Sequence, residues 1–301
     1  MPGNAWKAFF GVTEGFAPER IGAMILLIIP AALLFYLFLT APGSRAKKHV
    51  RAALPVPYYA HRGLHGGQIP ENSLPAFEEA VKNGYGIELD VRLTKDRKIV
   101  VHHDESLKRM CGVDRRISDM TLDEILSLRL QGASCGIPTL DAVCAIVNGR
   151  APLLIEMKSD PGNGDLPKLL YSRMKEYRGV WCVESFDPRM LLWFRLHARG
   201  VIRGQLAVDP YRSQGNKGLL FRAAAHLLMD FLSRPDFIAY GYLGGKNPSF
   251  RFVRRLFRPV TAAWTVKSAD ESGKLASAYD VQIFEGFCPD MKRTRKKETE
   301  K

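Results

Sequence analysis

Three observations lead the sequence to predict an α/β fold with parallel strands. Short β-rich runs alternate with helical segments along most of the chain, the signature of a parallel sheet covered by helices. Nine such runs fall in about 230 residues, one more than a (β/α)8 TIM-type barrel requires, so one of them is a misreading or an irregular strand. Charged side chains gather at or near the C-terminal ends of several runs, the face on which such barrels carry their chemistry. A chain of 301 residues with 46% apolar content can bury a substantial core, in one large domain or two smaller ones.

Residues 1–20 form an N-terminal segment without a basic cluster. Ile21 to Thr40, "IGAMILLIIPAALLFYLFLT", holds no charged residue, and as a helix it would reach across roughly 30 Å of hydrocarbon. The expectation is a single transmembrane helix over 21–40. A signal peptide has a shorter apolar region, roughly 7 to 15 residues, and no small-residue cleavage site is evident. Pro30 is tolerable in lipid, where neighbouring groups re-satisfy the freed backbone. Residues 41–56 carry Pro, Gly and Ser beside Arg45, Lys47, Lys48 and Arg51, and read as a basic juxtamembrane linker against anionic headgroups.

The barrel is expected over 57–290. Its runs are "YYAHRG" from Tyr58, "GIELDVRL" from Gly86, "KIVVHH" from Lys98, "APLLIEMK" from Ala151 and "VWCVES" from Val180, then "VIRGQL" from Val201, "FIAYG" from Phe237, "VTAAWTV" from Val260 and "VQIFEG" from Val281. About 105–140 is longer than an ordinary connection and reads as a small insertion, with Ser118 or Thr121 able to cap a short helix. The basic tail 291–301 has no apolar periodicity and is expected to be disordered.

A formal charge of +13 attracts anions without choosing among nucleic acid, phosphorylated metabolites and anionic bilayers. Much of that charge lies in the linker and tail and no nucleic-acid motif accompanies it, so no nucleic-acid partner is expected. The five cysteines are scattered and odd in number, which suggests neither a disulfide framework nor a zinc site.

In "GIELDVRL" a strand period of two puts Glu88, Asp90 and Arg92 on one face and Ile87, Leu89 and Val91 on the other. Adjacent carboxylates repel unless a cation sits between them, and a hard divalent ion, Mg2+ or Ca2+, is the usual remedy. The bland alternative is a solvated edge strand. Glu156 and Lys158 repeat the spacing in "LLIEMK", adding a carboxylate and a cation, although alone they would pass for a surface ion pair. His102 and His103 end a β-branched run and point to opposite sides of it, while His61 ends another. Histidine is the commonest acid or base near neutral pH. A metal with Arg62 and Lys158 would neutralise a phosphate, and paired histidines would move protons on its ester oxygens. The constellation reads as phosphodiester cleavage.

The stretches "AHRG", "PENSLPAFEEAVKNGYGIELDVRLTKDRKIVVHHDESLKR" and "IEMK" closely resemble the glycerophosphodiester phosphodiesterases, and looser likenesses in "VESFDP" and "WTVKS" extend the match from about Tyr59 to Asp290. The resemblance implies a (β/α)8 barrel with a small insertion. It implies acid/base roles for His61 and His103, phosphate binding for Arg62, and metal ligation by Glu88, Asp90 and Glu156. It further places Lys158 near the phosphate, Trp264 in the substrate pocket, and Glu71 behind the metal ligands or among them. The sequence departs from the family at Asn72-Ser73, at Asp96-Arg97 in place of an Asp-Gly turn, and at "IFEGFCPD" in place of an Ile-Thr-Asp ending.

The expected function is therefore metal-dependent hydrolysis of glycerophosphodiesters to glycerol phosphate and an alcohol. Two alternatives stand beside it: a lipase D-like phosphodiesterase acting on lysophospholipids or other membrane phosphodiesters, and a catalytically silent scaffold that binds anionic headgroups. The excess of basic residues after the apolar run predicts a membrane protein whose barrel faces the cytoplasm.

Overall fold

The computed structural model describes residues 18–209 and 218–291, with side chains from residue 25 onward. Nine strands form one sheet: β1 (Tyr58–Ala60), β2 (Gly86–Leu93), β3 (Ile99–Val101), β4 (Leu153–Met157), β5 (Trp181–Ser185), β6 (Arg203–Ala207), β7 (Phe237–Gly241), β8 (Val260–Val266) and β9 (Val281–Phe284). Eight of them are parallel, in the order β1-β9-β8-β7-β6-β5-β4-β2, and β1 pairs with β2 to close the barrel. The ninth run, "KIVVHH", is the irregular one. β3 pairs antiparallel with β2 alone, Val91 opposite Val101, because the short turn after Leu93 leaves no room for a crossover helix.

The alternation seen in the sequence sorts side chains by layer. Ile87, Leu89, Val91, Leu153, Ile155 and Val183 point outward and pack on Phe77, Val143, Leu170, Leu191 and Phe194 of the surrounding helices. Tyr59, Leu154, Cys182, Phe237, Ala239, Ala262 and Ile283 form a second cluster with Val50 and Leu54. Each large side chain fully buried in this way contributes about 1.5–3 kcal/mol. Gly204 is obligatory, since the ring of Phe237 occupies the space its Cβ would need.

Residues 105–140 carry their own small core of Leu107, Met110, Ile117, Met120, Ile125, Leu130 and Ile137. Thr121 caps the helix Leu122–Leu126 in a reciprocal capping box with Glu124.

The compact unit holding the barrel begins at Thr40, ahead of the expected 57. Within the stretch read as a basic juxtamembrane linker, residues 47–53 form a helix, because Val50 and, just beyond it, Leu54 supply an apolar face to the inner cluster. Arg45 and Arg51 pair with Asp236 and Asp280 of the barrel.

The other unit, residues 1–39, contains most of the helix Pro18–Thr40. Among the described residues no helix is long and apolar enough to cross a membrane, so the expected span over 21–40 is not supported. The side chains of residues 21–24 lie outside the described residues. The N-terminal segment up to residue 17 and all but Met291 of the tail also lie outside the described residues.

Candidate active site

The turn after β1 begins the site. His61 donates its backbone N–H to the carbonyl of Phe284, which continues the β1–β9 pairing by one residue. Arg62 (φ 56°) and Gly63 (φ 80°) then turn left-handed, and a Cβ on Gly63 would stand 2.9 Å from Ala76 and Phe77. That is the physical reason for a His-Arg-Gly sequence here: the glycine lets the turn press onto the following helix. The helix itself, Leu74–Lys82, is capped by the Ser73 hydroxyl, which accepts from the N–H of Ala76.

The turn aims Arg62 at the carboxylates of β2. Its backbone N–H donates to Glu88 Oε2 at 2.9 Å, and its guanidinium reaches Glu71 Oε1 at 2.9 Å and Asp90 Oδ2 at 3.5 Å. Asn72 donates to the same Asp90 oxygen at 2.8 Å. Because Asp90 and Glu156 are register partners across β2 and β4, they stand side by side. Lys158 Nζ bridges them, 2.8 Å from Asp90 Oδ1 and 2.6 Å from Glu156 Oε1.

Glu88, Asp90 and Glu156, all buried, bring ligand oxygens within 4.8 Å of one another. Glu184, the register partner of Glu156 on β5, adds a fourth buried carboxylate, and its Oε2 has no hydrogen-bond partner among the described residues. Four carboxylates thus meet two cationic side chains, Arg62 and Lys158, and the imbalance shows in their protonation. Burial, then Asp90 and Glu156, push Glu88 well above the usual carboxylate range, and burial raises Glu156 to about 7 despite Lys158. Burial and Glu156 likewise raise Glu184. Asp90 stays well below its ordinary value, since Lys158, His103 and Arg62 outweigh its burial. Excess buried negative charge on an all-oxygen donor set fits a hard divalent cation.

Each of the two candidate histidines is held at Nδ1 by a carboxylate. His61 meets Glu285 Oε2 at 2.7 Å, and His103 meets Asp104 Oδ1 at 2.7 Å. Such a bond orients the ring and leaves Nε2 for other work. Burial lowers both imidazoles, His103 to about 4, while the bond to His61 draws Glu285 down to about 2. His102 points the other way: it is 2% exposed and its Nδ1 lies 2.8 Å from the Asp104 carbonyl oxygen. Arg92, from the same face as Glu88 and Asp90, grips the carbonyl of His103 through Nε (3.0 Å) and Nη2 (2.6 Å) and so fixes the loop that carries it.

His61, Arg62, Glu88, His103, Glu156, Lys158 and Trp264 line a single cavity of about 90 Å³, together with Glu184, Phe186 and Leu206. Trp264 donates its indole N–H to Ala239 and packs edge-to-face on Phe186, ring centres 5.5 Å apart. Glu71 stands back from the carboxylate cluster, bound to Arg62 and to Arg109 Nη2 at 2.6 Å.

The family model for the glycerophosphoryl diester phosphodiesterase family matches residues 61–279. The chain belongs to that family. A glycerophosphodiester phosphodiesterase of Caldanaerobacter subterraneus is 39% identical over 146 residues, covering 44% of this chain and 55% of that protein. Glycerophosphodiester phosphodiesterase 1 of Bos taurus is 29% identical over 294 residues, 86% of this chain and 85% of the relative. The chain spans about half the length, or less, of the bacterial relatives it matches. Among solved structures, the glycerophosphodiester phosphodiesterase of Thermotoga maritima superposes with a TM-score of 0.60 at 28% identity, over 76% of this chain and 94% of that one. This likeness agrees with the TIM-type barrel described above.

Reading the sequence missed Arg109, Glu184, Asp104 and Glu285 as parts of the site. All four lay in stretches the sequence singled out, Glu184 in "VESFDP". Asp104 follows His103 directly, and Glu285 sits where the last strand departs from the family ending. Arg109 closes the long stretch that resembles the family, and it reaches the site from the insertion, through Glu71 and through Asp104 Oδ2 at 2.5 Å.

Proposed function

We propose that this family member hydrolyses glycerophosphodiesters to glycerol phosphate and an alcohol, with a divalent cation, Mg2+ or Ca2+, held by Glu88, Asp90 and Glu156. The observation that carries the reading is the pair of carboxylate-held imidazoles, His61 and His103, facing one cavity that also presents Arg62 and Lys158. The cation, when bound, supplies charge neutralisation to the phosphate oxygens and relieves the repulsion among its ligands. Arg62 contributes a planar donor set that suits two phosphate oxygens, and Lys158 a point charge. One neutral imidazole removes a proton from the attacking water as its oxygen bonds to phosphorus, while the other, protonated, gives one to the departing ester oxygen as the P–O bond breaks. Glu285 and Asp104 keep each ring oriented and stabilise its cationic form. Trp264 and Phe186 give the cavity an apolar wall that limits water. The test is release of glycerol phosphate from glycerophosphocholine, with and without chelator.

The membrane reading is a proposal of the same kind. Leu26, Leu27, Ile28, Ile29, Leu34 and Phe35 of the helix Pro18–Thr40 are each more than half exposed, an arrangement that favours lipid over water. Arg45, Lys47, Lys48 and Arg51 follow the helix, whereas Lys7 and Arg20 precede its apolar stretch, which supports a barrel on the cytoplasmic side. Reporters active only inside or only outside the cell, fused after Lys301, decide the orientation.

A further inference from the structure

We propose that the N-terminal end of the barrel, opposite the catalytic cavity, is a docking face for an anionic lipid bilayer, which leaves the catalytic mouth open to water. The consequence for substrate rests on the phosphodiesterase reading above; the docking face does not.

The face carries a ring of arginines. Strands β4 to β8 are parallel, so the connections that lead into them all lie at one end of the barrel. Each of the five connections holds one arginine: Arg150 before β4, Arg178 before β5, Arg199 before β6, Arg234 before β7 and Arg258 before β8. Arg150, Arg178, Arg199 and Arg258 are exposed. The same connections hold two carboxylates. Asp236 is buried and already held by Arg45 and Arg203, at 3.1 and 3.4 Å, which leaves Glu176, beside Lys175, as the exposed acid. An excess of one sign on one face attracts a surface of the other.

Two further features select a bilayer. Val180, Leu196, Leu256 and Phe257 stand exposed among the arginines. The headgroup boundary takes up both charge and hydrocarbon, whereas a nucleic-acid backbone rewards the charge alone. The second feature is where the preceding segment joins. Arg234 donates to the Ala41 carbonyl at 2.8 Å and Gly43 donates its N–H to the Pro235 carbonyl at 2.7 Å, so residues 41–43 meet the barrel at this same end. The helix Lys47–Ala53 packs Val50 there and exposes Lys47 and Lys48, adding to the ring. Each basic residue near an anionic surface strengthens binding by about fivefold. His61, Lys158 and Glu285 follow the opposite, C-terminal ends of β1, β4 and β9. Docking through the ring therefore turns the cavity away from lipid, and the diester it meets is one that arrives through water.

The experiment measures co-sedimentation of the purified full chain with phosphatidylcholine vesicles made with or without phosphatidylserine. Attachment through the apolar helix is indifferent to lipid charge, so the ratio of the two affinities reports the ring. That ratio should be at least about 30-fold at low salt and shrink as salt rises. Arg150→Gln, Arg178→Gln, Arg199→Gln and Arg258→Gln combined should cut it at least about tenfold and leave glycerophosphocholine hydrolysis unchanged. Should that variant fail to fold by circular dichroism, Arg178→Gln with Arg258→Gln should cut it at least about fivefold. Hydrogen exchange on anionic vesicles should slow at 175–180, 198–202 and 257–259 and stay as in solution at the turns after β1, β4 and β5. A ratio near one, a ratio the variants leave intact, or protection at the catalytic end overturns the proposal. Displacement from the vesicles by a short single-stranded RNA also overturns it and gives the ring to nucleic acid. Absence of glycerophosphocholine hydrolysis overturns the phosphodiesterase reading and leaves the docking result standing.

Discussion

His61 Nδ1 and Glu285 Oε2 lie 2.7 Å apart across the seam where the barrel closes. Ala60 on β1 is the register partner of Phe284 on β9, so the residue after each strand falls beside the other. Closure therefore builds the pair, although 224 positions separate its members along the chain. Glu285→Gln keeps an acceptor but loses the charge that favours the imidazolium. It should lower kcat/KM by at least about 10-fold, toward the roughly 10⁴-fold of a misoriented base, and move the limb that reports His61 to lower pH. A pH profile of kcat/KM separates this from simple misfolding, which would lower the plateau and leave the limb in place.

The two adjacent histidines should behave differently. His103→Ala removes a cavity-facing imidazole and should cost roughly 10²–10⁴ in kcat/KM with the fold retained. His102, buried away from the cavity, should matter for stability instead, with a loss of about 1–3 kcal/mol and less than about 10-fold in rate. Denaturant titration alongside steady-state kinetics checks both, and the reverse order would place the wrong histidine in the cavity.

The strand phase that separates these residues was legible in the sequence, because a period of two is fixed by backbone geometry. It set Glu88 and Asp90 inward, Ile87 and Leu89 outward, as the structure has them. What the sequence left open was which neighbour completes each group. Glu184 and Glu285 join the site only through the register of β4 with β5 and of β1 with β9, and register is a long-range property. Arg109 closes the stretch that resembles the family, yet its partners depend on how an insertion folds back over the barrel. The surplus ninth run was countable, yet its antiparallel pairing required the short turn to be seen in place. Val50 and Leu54 were hidden for a different reason: a strongly basic segment drew attention to its charges, while its two apolar residues decided where it packs.

Cation binding should depend on pH in a direction set by the carboxylates. Burial holds Glu156 at about 7 and Glu88 well above the ordinary value of 4.5. Without a cation the folded chain keeps protons there that the unfolded chain has released. Their contribution to stability is thus present at low pH and lost as pH rises through about 7. A divalent ion binds the ionised form, so the rise in Tm on adding Mg2+ or Ca2+ should grow from pH 5 to pH 8. Glu156→Gln should weaken that dependence. Equal shifts in Tm at pH 5 and pH 8 would remove the carboxylates from the cation site.

Arg109 holds two parts of the site at once, Glu71 at 2.6 Å and Asp104 at 2.5 Å. Arg109→Ala should loosen His103 through Asp104 and Arg62 through Glu71, lowering kcat/KM by about 10- to 100-fold, in line with residues that orient a site from behind. Arg109→Lys keeps the charge without the planar fork and should recover only part of the loss. Kinetics of both variants, with Tm as a control for folding, provide the check.

The most direct measurement is the hydrolysis of glycerophosphocholine by the purified chain, followed as glycerol phosphate and choline in the same sample. With Mg2+ or Ca2+ the two products should appear in equal amounts. Excess chelator should abolish their release, re-added cation should restore it, and His61→Ala and His103→Ala should each remain slow with cation present. Undiminished turnover in excess chelator, or no glycerol phosphate with any divalent cation, would contradict the account.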